Sequence, residues 1–206
     1  MNTREDAVII NSLVRQALVS AREVMGDNGL NAVLRSSSLE RFIDNFPPNN
    51  LEPSIQTSQY AKLNQAIEDF YGRAGKGMLR RIGRASFQYG VREQAALLGL
   101  AGVAIKLLPE RQRIKFILNG MADALKKSNP QVDARVDESG DRLAYLDATC
   151  AICHSRQAEM PICYLYMGSI GEAVKWATGK DHEVIETHCL ARGDSHCRFE
   201  IGEARA

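Results

Sequence analysis

Val184-Ile185-Glu186-Thr187-His188-Cys189-Leu190-Ala191-Arg192-Gly193-Asp194-Ser195-His196-Cys197-Arg198-Phe199-Glu200-Ile201 is the stretch that decides the fold of this chain. The pattern predicts a β-hairpin, with strands at 183–190 and 195–201 and a turn at Ala191-Arg192-Gly193-Asp194. Cys189 and Cys197 lie equally far from Gly193, which places them near each other across the hairpin mouth. By the period of two, Cys197, Phe199 and Ile201 share one face, and His196, Arg198 and Glu200 share the other. Cys197 is therefore expected to point inward and His196 toward water.

Working back from the hairpin, Tyr164 to Thr178 reads as a helix with Gly179 at the position just beyond its end. Further upstream Val132, Ala134 and Val136 alternate with polar residues. After a turn at Glu138-Ser139-Gly140-Asp141, the alternation resumes through Ala144, Leu146, Ala148, Cys150 and Ile152, which predicts a first hairpin. The rest of the chain has helical periodicity. Thr3 can cap a helix with Asp6 three residues on. Ile10, Val14, Ala17, Leu18, Ala21 and Met25 form its stripe, and Gly26 and Gly29 are expected to end it. A Pro/Asn-rich loop follows at residues 44–58. A second stripe runs through Leu63, Ile67, Phe70 and Ala74. Ala95 to Ile105 is apolar on every side, which predicts a buried helix. Ile114, Ile117, Leu118, Met121 and Leu125 mark another helix, stopped near Asn129-Pro130. The expected class is α+β: an N-terminal helical layer, then a small antiparallel sheet. Residues 1–58 are read as a helical segment and 59–206 as the main domain.

Composition excludes several functions. The 206 residues are 45% hydrophobic with a net charge of +1, so neither disorder nor a general nucleic-acid field is expected. The N-terminus lacks a signal-peptide pattern, and the longest apolar run is too short to span a bilayer. A cytoplasmic protein is expected. All five cysteines, and all four histidines, fall between Cys150 and Cys197. In a reducing compartment such clustering points to metal more than to disulfides. Cys163, after Pro161 at a strand-to-helix junction, could reach the Cys189/Cys197 hairpin. By spacing alone the fourth donor is Glu186, His188 or His182. Two thiolates from one hairpin with donors from elsewhere is ordinary zinc geometry.

Other motifs carry less. Cys150-Ala151-Ile152-Cys153-His154 has the form of a c-type haem attachment site. On a period-two strand, however, Cys150 and Cys153 would face opposite ways, and haem attachment needs both sulfurs at one porphyrin edge. Cys150 is then expected in the core, with Cys153 and His154 at a strand end. Gly72-Arg73-Ala74-Gly75-Lys76-Gly77 lacks phosphate-loop spacing and a preceding strand. Arg73, Lys76, Arg80 and Arg84 form a basic stripe of the kind that is usually solvated. Trp176 is expected to pack.

The cysteine-bearing segment 186–201 resembles the C-terminal signature of the four-vinyl-reductase domain family. Pro161-Ile162-Cys163 with Gly168 and Gly171, the turn Met25-Gly26-Asp27-Asn28-Gly29-Leu30, and Gly83-Arg84-Ala85-Ser86-Phe87-Gln88-Tyr89-Gly90 resemble it too. The resemblance implies one structural zinc on Cys163, Glu186, Cys189 and Cys197, clamping the C-terminal hairpin. Three thiolates and a carboxylate leave a surplus negative charge around a divalent ion. Lys175, Arg192, Arg198 and the amides of the 191–194 turn are candidates to offset it. The resemblance further implies a binding or carrier domain for an apolar small molecule, with a tetrapyrrole or chlorophyll precursor in view, and pairing of two chains through the helical N-terminus. The length fits a free-standing member. Helix 94–105 is expected to form one cavity wall. Three alternatives stand beside this reading: a vinyl-group reductase of (bacterio)chlorophyll synthesis, an assembly factor that binds another protein, and a c-type haem protein through Cys150, Cys153 and His154.

Overall fold

The computed structural model describes residues 6–94 and 105–205. The first of them form a strand where the sequence predicts a helix. Val8–Ile10 (β1) pairs antiparallel with Pro53–Gln56 (β2), a strand inside the expected 44–58 loop. Three consecutive β-branched residues favour that conformation. Helix α1 therefore starts only at Asn11 and runs to Ser36. Its first amides are satisfied by the returning chain: Asn11 N–H donates to the Glu52 carbonyl (2.8 Å) and Ser12 N–H to that of Asn50 (2.9 Å). Thr3 lies outside the described residues. Gly26, expected to end this helix, kinks it instead. It adopts φ +73° and ψ 169°, and helical geometry resumes through the buried Leu30, Val33 and Leu34.

Helices α2 (Thr57–Tyr71) and α3 (Gly75–Gln94) follow, joined by a short 3-10 turn at Gly72–Ala74. Leu63 and Ile67 of the predicted stripe are buried, whereas Phe70 is exposed. The predicted helix over Ala95–Ile105, with its role as cavity wall, lies outside the described residues, apart from Ile105 at the start of a 3-10 turn. Helix α4 spans Glu110–Ser128, with Ile114, Ile117 and Leu118 buried. None of the described helices is long and apolar enough to cross a membrane.

The C-terminal part forms a four-stranded antiparallel sheet in the order β3-β4-β6-β5. Its strands are β3 (Ala134–Asp137), β4 (Ala144–Asp147), β5 (His182–His188) and β6 (Cys197–Ala204). Both expected hairpins are present, and β6 joins them by pairing with β4: Tyr145 faces Phe199 and Asp147 faces Cys197. Cys197, Phe199 and Ile201 are buried, as their shared face requires. β4 stops at Asp147, well short of the predicted Ile152. The Asp147 carboxylate accepts both the backbone N–H and the hydroxyl of Thr149, each at 2.8 Å, and turns the chain out of the sheet.

Helix α5 (Tyr164–Thr178) lies between the sheet and the helical layer and packs most extensively on α3. It ends at Gly179, whose φ of +78° needs no side chain and whose N–H closes on the Lys175 carbonyl at 2.7 Å. The α3–α5 crossing is made by backbone. A β-carbon added at Gly83 would lie 2.0 Å from the Leu165 carbonyl oxygen, and one at Gly168 would lie 2.1 Å from that of Arg80. The Ser169 hydroxyl donates to the Gly83 carbonyl at 2.9 Å. Trp176, expected to pack, faces outward and is 42% exposed.

Candidate metal centre and adjoining cavity

Three elements bring the cysteines together. Cys163 caps the start of α5, while Cys189 and Cys197 flank the 190–196 connection between β5 and β6. Cys163 Sγ lies 3.9 Å from Cys189 Sγ and 3.8 Å from Cys197 Sγ. One oxygen of Glu186 joins these three sulfurs in a group whose donor atoms all lie within 4.8 Å of one another. The other predicted donors go elsewhere. His182 Nδ1 bonds the Gly202 carbonyl oxygen (2.9 Å), and His188 stacks on His196 at 5.6 Å between ring centroids.

The donor set fits a tetrahedral ion. With metal–sulfur bonds of about 2.3 Å, the sulfur–sulfur edge of a tetrahedron is about 3.8 Å, and the observed separations match it. Glu186 is only 5% exposed. Its Oε2 accepts the Cys163 backbone N–H at 2.7 Å, while Oε1 is buried without a hydrogen-bond partner. An orphaned carboxylate oxygen among thiols is costly unless a cation completes it. Burial, followed by the negative charge of Cys189, pushes the Glu186 carboxyl up to about 8. Burial also pushes the Cys163 thiol well up, and its thiol neighbours add to the rise. At Cys189 the contact with Cys153 acts upward, yet hydrogen bonds from Cys163 and Cys197 bring it down to about 6. A cation bound among these thiols would displace their protons.

The expected charge partners do not reach the site. Lys175 pairs with Asp181, Arg192 with Asp194, and Arg198 with Asp137 and Glu200. Of the backbone amides, that of Leu190, just before the expected turn, points at Cys197 Sγ (3.5 Å), while those of Arg192, Gly193 and Asp194 donate to the carbonyls of Cys189 and Leu190. The basic stripe is likewise engaged in part. Lys76 and Arg80 lie over the Tyr164 ring, and Arg84 pairs with Glu172 and Asp181.

The Cys150-Ala151-Ile152-Cys153 segment is the main correction. Because β4 ends at Asp147, these residues form a turn rather than a strand, and the two sulfurs do not face opposite ways. Cys150 Sγ lies 3.6 Å from Cys163 Sγ, and Cys153 Sγ 3.5 Å from Cys197 Sγ. Cys153 is buried in the core rather than left at a strand end. All five cysteines are buried free thiols in a single cluster.

Beside the cluster lies a cavity of about 560 Å³. Ile10 of β1, Leu13 of α1, Phe87 of α3, Met121 and Leu125 of α4 and Leu165 of α5 supply apolar wall. Asp147, Thr149, His154, Tyr166 and Ser169 contribute polar groups. The Tyr166 hydroxyl donates to Asp147 Oδ2 at 3.1 Å. Burial holds the Asp147 carboxyl above its ordinary range despite the hydrogen bonds from Thr149 and Tyr166. His154 is buried, with Nε2 3.6 Å from Asp6 Oδ1.

Residues 135–203 match the V4R domain family, the family that the cysteine signature resembles. An uncharacterized protein of Methanocaldococcus jannaschii is 38% identical over 52 residues, which are 25% of this chain and 29% of that protein. The chain thus spans less than a third of that relative. Among solved structures, one reported under haem redox potential modulated through protein-induced porphyrin distortion superposes with a TM-score of 0.62 at 14% identity, over 94% of this chain and 93% of the other. The oxygen complex of an oxygen-binding H-NOX domain related to soluble guanylate cyclases gives 0.61 at 13% identity, over 94% and 93%. At these identities the likeness is one of fold.

Proposed function

From the premise that residues 135–203 are a V4R domain, we propose that this chain binds or carries an apolar small molecule in the cavity beside the thiol cluster, and that a structural zinc ion braces the cavity wall. The observation that carries the reading is the cavity itself. Its volume of about 560 Å³ lies within the usual range for small-molecule sites. Its walls are mostly aliphatic and aromatic, with a few polar groups converging from β4, the turn after it and α5. A tetrapyrrole is the ligand class we favour, because solved proteins of the same fold include haem-containing ones.

Zinc would be held by Cys163, Glu186, Cys189 and Cys197. With all four positions taken by protein, it would supply no open coordination site and no reaction chemistry. Its part is mechanical. Cys163 immediately precedes α5, and Leu165, Tyr166 and Ser169 in the first turns of that helix line the cavity. Fixing Cys163 to the β5–β6 hairpin therefore fixes that wall.

Native mass spectrometry and absorption spectroscopy of freshly purified protein test the reading. The expected result is a retained apolar ligand, coloured if it is a tetrapyrrole, together with bound zinc, and the same spectrum reports whether two chains pair. Ser169→Trp, which fills the cavity from one wall, should abolish ligand retention. Protein that arrives empty and then fails to bind haem or protoporphyrin would remove the tetrapyrrole assignment. Unimpaired retention in the Ser169→Trp variant would show that the ligand sits elsewhere.

A further inference from the structure

We propose that the five cysteines and Glu186 form a two-metal centre, in which Cys163 and Cys197 bridge the ions and Cys150 with Cys153 complete a second tetrahedral site. The inference rests on the zinc site proposed above and adds a second ion to it.

Two groups of four donors satisfy the same compactness. Cys163, Glu186, Cys189 and Cys197 form one; Cys150, Cys153, Cys163 and Cys197 form the other, again with all donor atoms within 4.8 Å of one another and all four residues buried. The groups share the Cys163–Cys197 edge, whose sulfurs are 3.8 Å apart. On the far side of that edge Cys150 Sγ is 3.6 Å from Cys163 Sγ, and Cys153 Sγ is 3.5 Å from Cys197 Sγ. All of these lie near the tetrahedral edge of about 3.8 Å. Two tetrahedra sharing an edge describe two ions bridged by two thiolates. The terminal donors are Cys150 and Cys153 on one ion, and Glu186 and Cys189 on the other.

The local chain suits the second site. Two cysteines separated by two residues on a tight turn form a usual chelating unit for zinc. Here the Asp147–Thr149 turn leads the chain out of β4, and in the turn that follows Cys153 Sγ folds back to 3.9 Å from the Cys150 carbonyl oxygen. Charge does not oppose the second ion. A divalent ion entering between Cys150 and Cys153 displaces one proton from each thiol to solvent and forms two new metal–sulfur bonds. Two positive charges enter and two leave, so the buried net charge is the same as with the first ion alone. The second site therefore needs no further counter-charge, in a cluster where Lys175, Arg192 and Arg198 are all committed elsewhere.

The test uses the full chain, purified anaerobically and reconstituted with zinc alone. Native mass spectrometry should find two zinc ions per chain. X-ray absorption should show a zinc shell averaging about three and a half sulfurs and half an oxygen per ion, and a metal–metal vector no longer than about 4.6 Å, twice the metal–sulfur bond. Cys150→Ser/Cys153→Ser should retain one zinc, with the mixed sulfur–oxygen shell. One zinc per wild-type chain in a mixed shell would overturn the second site and leave the first. Two ions without the short vector would overturn the bridging arrangement, and two ions in the double-serine variant would overturn the assignment of Cys150 and Cys153. No zinc in the wild type would overturn both sites. If the double-serine variant does not fold, the wild-type stoichiometry and vector decide the matter.

Discussion

Replacing Gly168 with alanine tests the backbone crossing that positions everything else. Its new methyl would meet the Arg80 carbonyl oxygen at 2.1 Å, about 1.3 Å inside ordinary van der Waals contact. That neighbour is main chain in the middle of α3 and cannot swing aside, so the helices must separate. Overpacking of this kind costs about 1–3 kcal/mol, and the upper end applies where backbone must move. Alanine regains about 1 kcal/mol of helix propensity over glycine. The net loss is about 2 kcal/mol, which for a chain of this size lowers Tm by about 4–8 °C. Gly83→Ala, facing the Leu165 carbonyl, should behave alike. The double variant should lose less than the sum, because the first methyl has already parted the same interface. Gly77→Ala in α3, where an added β-carbon meets nothing within 4 Å, is the control and should melt at or above the wild type. Calorimetric melts of the four variants decide it. If Gly168→Ala and Gly83→Ala both melt with the wild type, α3 and α5 do not touch through their backbones.

Stripping metal with a strong chelator should loosen the β5–β6 hairpin. Structural zinc can contribute on the order of 10 kcal/mol in small domains, and even about 3 kcal/mol here would lower Tm by about 6–12 °C; an unchanged melt after verified metal loss would contradict a structural ion. Asp147 predicts a pH dependence with a definite sign. Its carboxyl is held high by burial, so the fold favours the acid form, and that stabilisation is lost as pH rises from the unfolded value of about 4 through the folded value. With chelator in every sample, urea midpoints of wild type should fall over that window relative to those of Asp147→Asn, which cannot ionise; parallel profiles would count against it. Metal and ligand should also be linked: protoporphyrin in the cavity should raise the zinc affinity measured in competition with a chromophoric chelator, and zinc should strengthen protoporphyrin binding by the matching factor. Equal zinc affinities with and without protoporphyrin would separate the two sites.

The elements that the sequence displayed most clearly are those bounded by local signals. Helix α5 begins after Pro161 and ends at Gly179 because a ring and a positive φ punctuate the chain, and neither depends on distant residues. Gly193 does the same for the last hairpin, with φ +94°. Misreadings arose where local pattern and chain path diverge. Alternation continues past Asp147 in the sequence, but Asp147 followed two residues later by Thr149 is also an Asx-turn signature, and that turn takes Cys150 and Cys153 out of the strand. The signature ends the strand, and the tertiary path beyond it sets where the two sulfurs lie. β1 was hidden for another reason. Val8-Ile9-Ile10 fits a helical stripe as well as a strand, and the partner that decides between them, β2, lies more than forty residues away. The close helix approach falls at Gly83 and Gly168, inside two segments that resemble the V4R family. Spacing left Glu186, His188 and His182 equal as donors; His182 is buried on the same face as Glu186 but lies at the far end of β5 opposite Ala204, and a register shift after Glu186 separates it from His188. Glu186 turns inward opposite Phe199, while His188 turns out to stack on His196.

The cluster and the cavity are two sides of one junction, and that arrangement argues against thiols serving merely as apolar filler. Asp147 lines the cavity and pairs in register with Cys197. Cys163 starts the helix whose first turns form the wall. Ile152 lines the cavity from within the turn that carries Cys150 and Cys153. Apolar packing alone would be served better by valine or leucine at these five positions, and it gives no reason to bury Glu186 with an oxygen unpartnered among them. A cation would give both a reason: it would complete the carboxylate, gather the thiols and join three chain segments by bonds that side-chain packing cannot supply. A binding domain whose wall is built from the ends of separate elements, rather than from one continuous face, has most need of such a brace.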